Sequence, residues 1–449
     1  MRCGNNNKTR QNMELLYVAM SILLLVLLIT WGRLHPFLAF LVAATAAGIL
    51  LQVPLDTIPG VLEKGIGATL GGLIGIVCLG AMFGRLIADS GAAQKIATVL
   101  IGVFGEKHIT WALMLTGFIV GIPLFYNVGF VLLVPLVFSV VAQSRLPPIH
   151  LGIPLLASLS VTHGFLPPHP SPSAMVPMFG ADMGTTLVYG IIVAIPAMIV
   201  AGPLFSKLFR NVRSRPLTLF VAPPMEAARL PGTFNAFATA LLPVVLIALS
   251  VVPAVSQAPA GYQPFIRFIT NPLVVMFLGL AIGTGTLGLS RGMRMTQLME
   301  SYATAVKDIS VILLIIAGAG ALKEVFVASG VSGSISDALL HLRVNPLILG
   351  WFIAAVLRVS LGSATVAGLT AAGIMTPVLA ASAVDPNLMV LAIGAGSLMF
   401  SHVNDSGFWM AKEYFNLTLK ETVMSWTLME GIVGFVGIGG VLVLDAALH

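Results

Sequence analysis

Four short segments gather polar and helix-breaking residues inside otherwise apolar sequence. In the first, Gly121 to Gly129, Pro123 and the glycines interrupt a helix, and Asn127 adds a hydrogen-bond donor and acceptor. Free N–H groups at such a break can hold an anion, although a plain tight turn would use the same residues. The second runs from Ser158 to Ser173 and contains Ser160, Thr162, His163 and His169. Its prolines 167, 168, 170 and 172 cannot continue a helix. His163 can bind ligand oxygens or carry a proton, because imidazole titrates near neutrality. A fixed structural hydrogen bond is the other reading, and among the prolines it is the better one for His169.

The third segment, Arg358 to Gly368, places Arg358 after an apolar run and sets Ser363 and Thr365 around Gly362. An arginine at membrane depth costs about 3 kcal/mol on insertion scales. Its planar fork matches a carboxylate, unless it only snorkels from a helix end. The fourth, Ser401 to Gly407, contains His402, Asn404 and Asp405. Asp405 is an ionisable group in apolar surroundings, which suits a proton carrier. A permanent ion pair with Arg358 is the alternative. The expected ligand contacts are therefore Asn127, Ser160, Thr162, His163, Arg358, Ser363, Thr365, His402 and Asn404. Proton coupling is expected at Asp405 first, with His402 and His163 as alternatives. Arg85, Asp89, Lys323 and Glu324, near the ends of long spans, either pair with one another or sit at the interface.

The elements that must position these groups are membrane helices. The chain is 57% hydrophobic and only 9% charged, against roughly 25% charged in a soluble domain, so it cannot cover a globule in water. Apolar segments of about span length occur at Leu15–Trp31, Phe37–Val53, Gly65–Ile87, Thr185–Phe205, Phe234–Val252, Asn271–Leu287, Ala303–Val327 and Ser425–Leu444. The first is too long for a secretory signal core and is expected to be retained. The net charge of +6 falls in short loops and gives no sign of nucleic-acid binding. Two cysteines, Cys3 and Cys78, offer no disulfide framework or cysteine metal site. No cofactor is expected.

The apolar regions Ile109–Met178 and Pro346–Met410 are broken by Pro, Gly and polar residues. Such breaks survive at membrane depth only beside protein or a water-filled cavity, and one in each half marks a transporter site. Ala88–Gly91 resembles Val327–Gly330, 239 residues on (330 − 91), and Ala157–His163 resembles Gly396–His402 at the same offset (402 − 163). The fold class expected is an all-α polytopic membrane protein with two inverted repeats, each holding a re-entrant hairpin and a broken helix. Inversion requires Ala92–Phe104 to lie along the interface. The hairpins are Ile109–Ser144 and Pro346–Leu379, entering from opposite faces with tips near His402 and His163. The divisions are a tail at 1–14, a first half at 15–205, a basic cytoplasmic loop at 206–233, and a second half at 234–449. The loop around Arg291 and Arg294 should share the cytoplasmic side with 206–233.

An intramembrane metalloenzyme using His163, His169, His402 and Asp405 would need distant segments to converge. The sequence has no H-E-x-x-H helix and no G-x-S-x-G elbow. A channel would more often build its filter from identical subunits.

The segments Gly80–Gly91, Val161–Pro170, Leu357–Ala367 and Ser401–Trp409 resemble the gluconate permease family of bacterial gluconate:proton symporters. The resemblance runs from about Leu15 to the C-terminus. It implies proton-driven uptake of gluconate or a related anion (idonate, glycerate and serine are family alternatives) across the bacterial inner membrane. It also implies the larger ion transporter superfamily, with scaffold and transport domains, opposed hairpins and a homodimer in the lipid bilayer. Sodium coupling stays open on the residues alone, since hairpin carbonyls and Asn404 could ligate a cation.

Overall fold

A computed structural model describes residues 13–14, 16–21, 23–25, 27–29, 31–144, 146–212, 225–249, 259, 261–331, 344–380, 382–402 and 405–448. Among these there are helices and no strand. Apolar side chains stand on nearly all faces of the helices, which therefore bury against one another or face outward as apolar surface. Asn404 lies outside the described residues.

α1 (Leu16–Ile29) and α2 (Pro36–Leu50) lead into the long α3 (Ile58–Asp89), which is bent by 43°. After Gly91 in the left-handed region (φ 75°) comes α4 (Ala92–Phe104), bounded by Gly91 and Gly105 and matching the segment expected from the sequence. α5 (Ile109–Gly121) and α6 (Tyr126–Ser144) then form the first hairpin. α7 (Pro148–Phe165) breaks at 166–169 and resumes as α8 (Pro170–Phe179). α9 (Met183–Ile199) continues through a π-turn toward Phe209.

The second half starts with α10 (Thr233–Leu249), the short α11 (Gln263–Ile269) and α12 (Pro272–Gly283). The long α13 (Met295–Ala328), bent by 41°, follows and packs lengthwise on α3. α14 (Pro346–Leu361) and α15 (Ala364–Ala380) form the second hairpin. α16 (Pro386–Ser397) breaks and resumes as α17 (Ser406–Tyr414). The short α18 (Leu419–Thr422) runs through a π-turn into α19 (Leu428–Leu448).

The second half repeats the element order of the first. Moving the starts of α3, α5, α6, α7 and α9 by 239 gives 297, 348, 365, 387 and 422. The corresponding second-half elements start at 295, 346, 364, 386 and 419. The match reaches local geometry. Ser90 and Ser329 both cap their helices through the carbonyl three residues back, and each is followed by a glycine at φ 75° or 72°.

Several helices are too short to cross a bilayer core. At 1.5 Å per residue α5 is about 20 Å long, and α16 about 18 Å, against a hydrocarbon core of about 30 Å. Each hairpin tip lies on the broken helix of its own half. At the first tip the Tyr126 and His163 ring centroids are 6.3 Å apart. At the second, His402 Nε2 is 3.0 Å from the Val359 carbonyl. The two basic loops touch, because Arg291 donates to the carbonyls of Arg229 and Leu230 at 3.1 and 3.0 Å. Gln94, at the start of α4, bonds the Met225 backbone in both directions.

Arg85–Asp89 and Lys323–Glu324 do not pair with each other. Arg85 reaches its own Asp89 at 3.0 Å, and Ser301 donates to the same carboxylate at 2.5 Å. Glu324 pairs with Lys64 at 2.6 Å, while Lys323 donates to the Met178 carbonyl at 3.0 Å. The cause is helix spacing: i and i+4 groups share a face, so Arg85 has a partner one turn away.

Candidate functional site

The breaks in the four segments converge on a cavity of about 460 Å³, within the ~300–1,000 Å³ typical of small-molecule sites. Asn127, Ser160, His163, Arg358, Ser363, Thr365 and Asp405 all line it. Phe125, Tyr126, Trp426 and the aliphatic Val311 and Ile315 complete the wall, and Glu430 also faces in.

Arg358 is buried, 4% exposed, in the last turn of α14. Its Nη2 pairs with Asp405 Oδ2 at 2.5 Å, and its Nη1 donates to the Gly362 carbonyl at 2.5 Å. Gly362 ends α14 at φ 74°, a left-handed position open to glycine at little cost, and this turn brings its carbonyl back to the guanidinium. The arginine is therefore no snorkelling anchor. Its Nε is buried without a hydrogen-bond partner.

Asp405 is the N-cap of α17 and accepts the Gly407 N–H at 3.2 Å through Oδ1. Its Oδ2 also accepts from the Ser401 hydroxyl. Ser401 accepts from Trp426 Nε1 at 2.8 Å, and its carbonyl accepts from Thr427 at 2.6 Å. The broken helix α16–α17 is thus tied to the π-turn before α19, and through Arg358 to the second hairpin.

Two expected contacts stand away from the cavity wall. Thr162 donates to its own helix at the Leu159 carbonyl, 2.9 Å, and packs against Gly121. His402 turns to the Val359 carbonyl. Both follow from where the helices break: Thr162 still belongs to the regular turn of α7, and His402 precedes the turn that aims Asp405 inward. His169 takes the structural role, with Nε2 at 2.8 Å from the Gly121 carbonyl, so it pins the first hairpin to the first broken helix. Among the described residues no group of three His, Cys, Asp or Glu could hold a metal ion.

A buried cation in a cavity walled by hydroxyls, an amide and aromatic rings is equipped to hold a small polar anion. The model of the family described as "GntP family permease" matches residues 13–447. The chain belongs to the GntP permease family. This places it among transporters rather than enzymes. With the helical segments Pro148–Phe179, Met183–Phe209, Pro272–Arg291 and Leu419–Leu448 long and apolar enough to cross a bilayer, it is a multi-pass membrane protein.

GntP-family relatives span essentially the same length. A high-affinity gluconate transporter of Escherichia coli is 45% identical over 439 residues, covering 97% of this chain and 100% of that protein. The Gnt-II system L-idonate transporter of the same species is 44% identical with the same coverage. A gluconate permease of Bacillus subtilis is 43% identical, covering 96% and 99%. Among solved structures, the YdaH transporter of Alcanivorax borkumensis shares the fold with a TM-score of 0.66 at 14% identity, covering 92% of this chain and 98% of that one. MtrF of Neisseria gonorrhoeae does so with a TM-score of 0.65 at 15% identity, covering 88% and 85%.

Glu430, Tyr126 and Trp426 line the permease cavity without having been singled out in the sequence. For Glu430 a signal existed, since it is a lone acid inside the apolar run Ser425–Leu444. For the two aromatic residues there was none, because aromatic side chains in apolar helices are ordinary core.

Proposed function

We propose that this permease imports gluconate or a closely related sugar-acid anion across the bacterial inner membrane together with protons. The observation that carries the reading is Arg358, a buried guanidinium lining a cavity with Asn127, Ser160, Ser363 and Thr365. The carboxylate of the anion takes the Arg358 fork, and its hydroxyls meet the hydroxyl and amide groups. Phe125, Tyr126 and Trp426 cover its C–H faces. The names carried by relatives at 43–45% identity, gluconate and L-idonate carriers, support this chemistry.

Arg358 is occupied by Asp405 in this structure. An incoming carboxylate competes for the same guanidinium, and its success leaves Asp405, whose side chain is 14% exposed, without its counter-ion. Orphaning a fully buried charge costs about 3–5 kcal/mol, and a partly exposed one less. A proton on Asp405 removes that cost, so anion binding and proton binding favour one another. His163 lines the same cavity and would relay the proton, and His402 lies next to the Asp405 turn. Import of an anion against an inside-negative potential is opposed by about 2.3 kcal/mol per charge per 100 mV. Proton symport offsets that opposition.

The re-entrant hairpins are read as inverted copies, one from each face, in a homodimer surrounded by lipid. The repeated element order supports a repeated hairpin, and the short hairpin helices α5, α14 and α15 support re-entry. Initial-rate uptake of labelled gluconate, idonate, a hexuronate, serine and glycerate tests the substrate class, in cells lacking endogenous carriers. The aldonates should be taken up saturably and each should compete with the other. Preference for serine or glycerate over both would overturn the assignment.

A further inference from the structure

Glu430 is a carboxyl for which the Arg358–Asp405 exchange has no use. It lies roughly 16 Å along the 30-residue helix Leu419–Leu448, well away from either end. It is 2% exposed and lines the cavity. Its Oε2 is buried without a hydrogen-bond partner. The Ser160 hydroxyl is the polar group beside it and has no other partner. Asp405 lines the same cavity but has partners, since Arg358, Ser401 and the Gly407 N–H all donate to it.

The groups facing Glu430 can be counted element by element. α14 contributes Arg358, and the start of α17 contributes Asp405. α6 contributes the Tyr126 phenol, whose oxygen is buried without a partner. α7 contributes Ser160 and, on the same wall, His163. α9 and α16, also packed on α19, carry no acid or base other than Tyr189. With the imidazole neutral, the cavity thus holds one guanidinium against two carboxylates. An anionic substrate adds a third negative charge. Uncompensated buried charge is strongly disfavoured, so the loaded cavity is neutral only when both carboxyls are protonated.

We propose that Glu430 is a second proton-binding site of the transport cycle, loaded with a proton before the anion occupies the cavity and emptied on the opposite face. The Glu430 carboxylate gains a proton from the side of entry, and the same O–H bond breaks toward the side of release. Asp405 does likewise when substrate displaces it from Arg358. Two protons then accompany each singly charged anion, and each cycle moves net positive charge inward. The inference rests on the proposed proton-coupled uptake of a sugar acid.

The test uses purified full-length protein in proteoliposomes, with labelled gluconate and an imposed potassium diffusion potential at equal pH. The wild type should take up gluconate faster when the interior is negative. Glu430→Gln keeps the shape, and its amide oxygen can still accept from the Ser160 hydroxyl. It should still accumulate gluconate under an inward proton gradient but lose its response to potential, because one proton fewer moves per anion. Glu430→Gln combined with Asp405→Asn should exchange internal for external gluconate without accumulating it. A Glu430→Gln protein whose potential response equals that of the wild type overturns the proposal. If Glu430→Gln yields no active carrier, the wild type and Glu430→Asp decide. Electrogenic uptake by both supports the proposal, and electroneutral uptake by the wild type overturns it. A wild type that moves no proton with gluconate would instead overturn the underlying function, so the two failures are distinguishable.

Discussion

The guanidinium of Arg358 is held on two sides, by Asp405 at 2.5 Å and by the Gly362 carbonyl at 2.5 Å. Both contacts use the planar fork. A lysine would keep the charge but present a single rotating ammonium, which cannot bridge a carboxylate and a carbonyl in that fixed geometry. Arg358→Lys should therefore lower the uptake efficiency for gluconate at least tenfold, or about 1.4 kcal/mol. Initial rates across a range of gluconate concentrations measure this. Unchanged efficiency would make Arg358 a topological anchor and move the site elsewhere. The sequence posed Arg358 as a carboxylate ligand or a snorkelling helix-end residue, and Asp405 as a proton carrier or the ion-pair partner of Arg358. The structure joins them, and competition for one guanidinium makes the two readings compatible. Glu430 was not legible in this way. Nothing in the sequence says that one face of α19 meets the broken turn of α16–α17.

At the scale of elements, breaks and boundaries were the legible part. Pro123 and Gly121 located the first hairpin turn, and Gly362 located the second. Gly91 and Gly105 bounded α4. These residues act locally, through backbone geometry that needs no knowledge of the fold. The tip contacts were less legible, because they depend on which broken helix each hairpin packs against. The inversion of the two halves depends on crossing parity, and it can be measured. With hairpins that return to their side of entry and α4 lying along the interface, five crossings separate the start of α5 from the start of α14. Single cysteines at Lys107 and Val344, in a protein with Cys3 and Cys78 replaced by serine, should then react with a membrane-impermeant maleimide from opposite faces. Lys107 should label from the cytoplasmic side and Val344 from outside. Labelling of both from one face would mean parallel repeats.

Across the whole molecule, the long α3 and α13 pack lengthwise as a pair. The hairpins and broken helices gather at one cavity. Gly394 lies so close to the Gly164 carbonyl that a methyl group there would strike it, so α16 and α7 touch through backbone at the core of the site. In the proposed cycle the Arg358–Asp405 pair and Glu430 would supply the coupling, since each carboxyl that loses a counter-ion or meets an anion needs a proton. The proposed function requires a sugar-acid anion and protons to travel together. Its most direct measurement is the pH outside sodium-free proteoliposomes, initially at equal pH on both faces, when gluconate is added. The medium should become alkaline, with initial rates that follow gluconate uptake, and a protonophore should collapse the change. Gluconate uptake without any alkalinisation, or uptake that appears only when sodium is supplied, would contradict the proposed function.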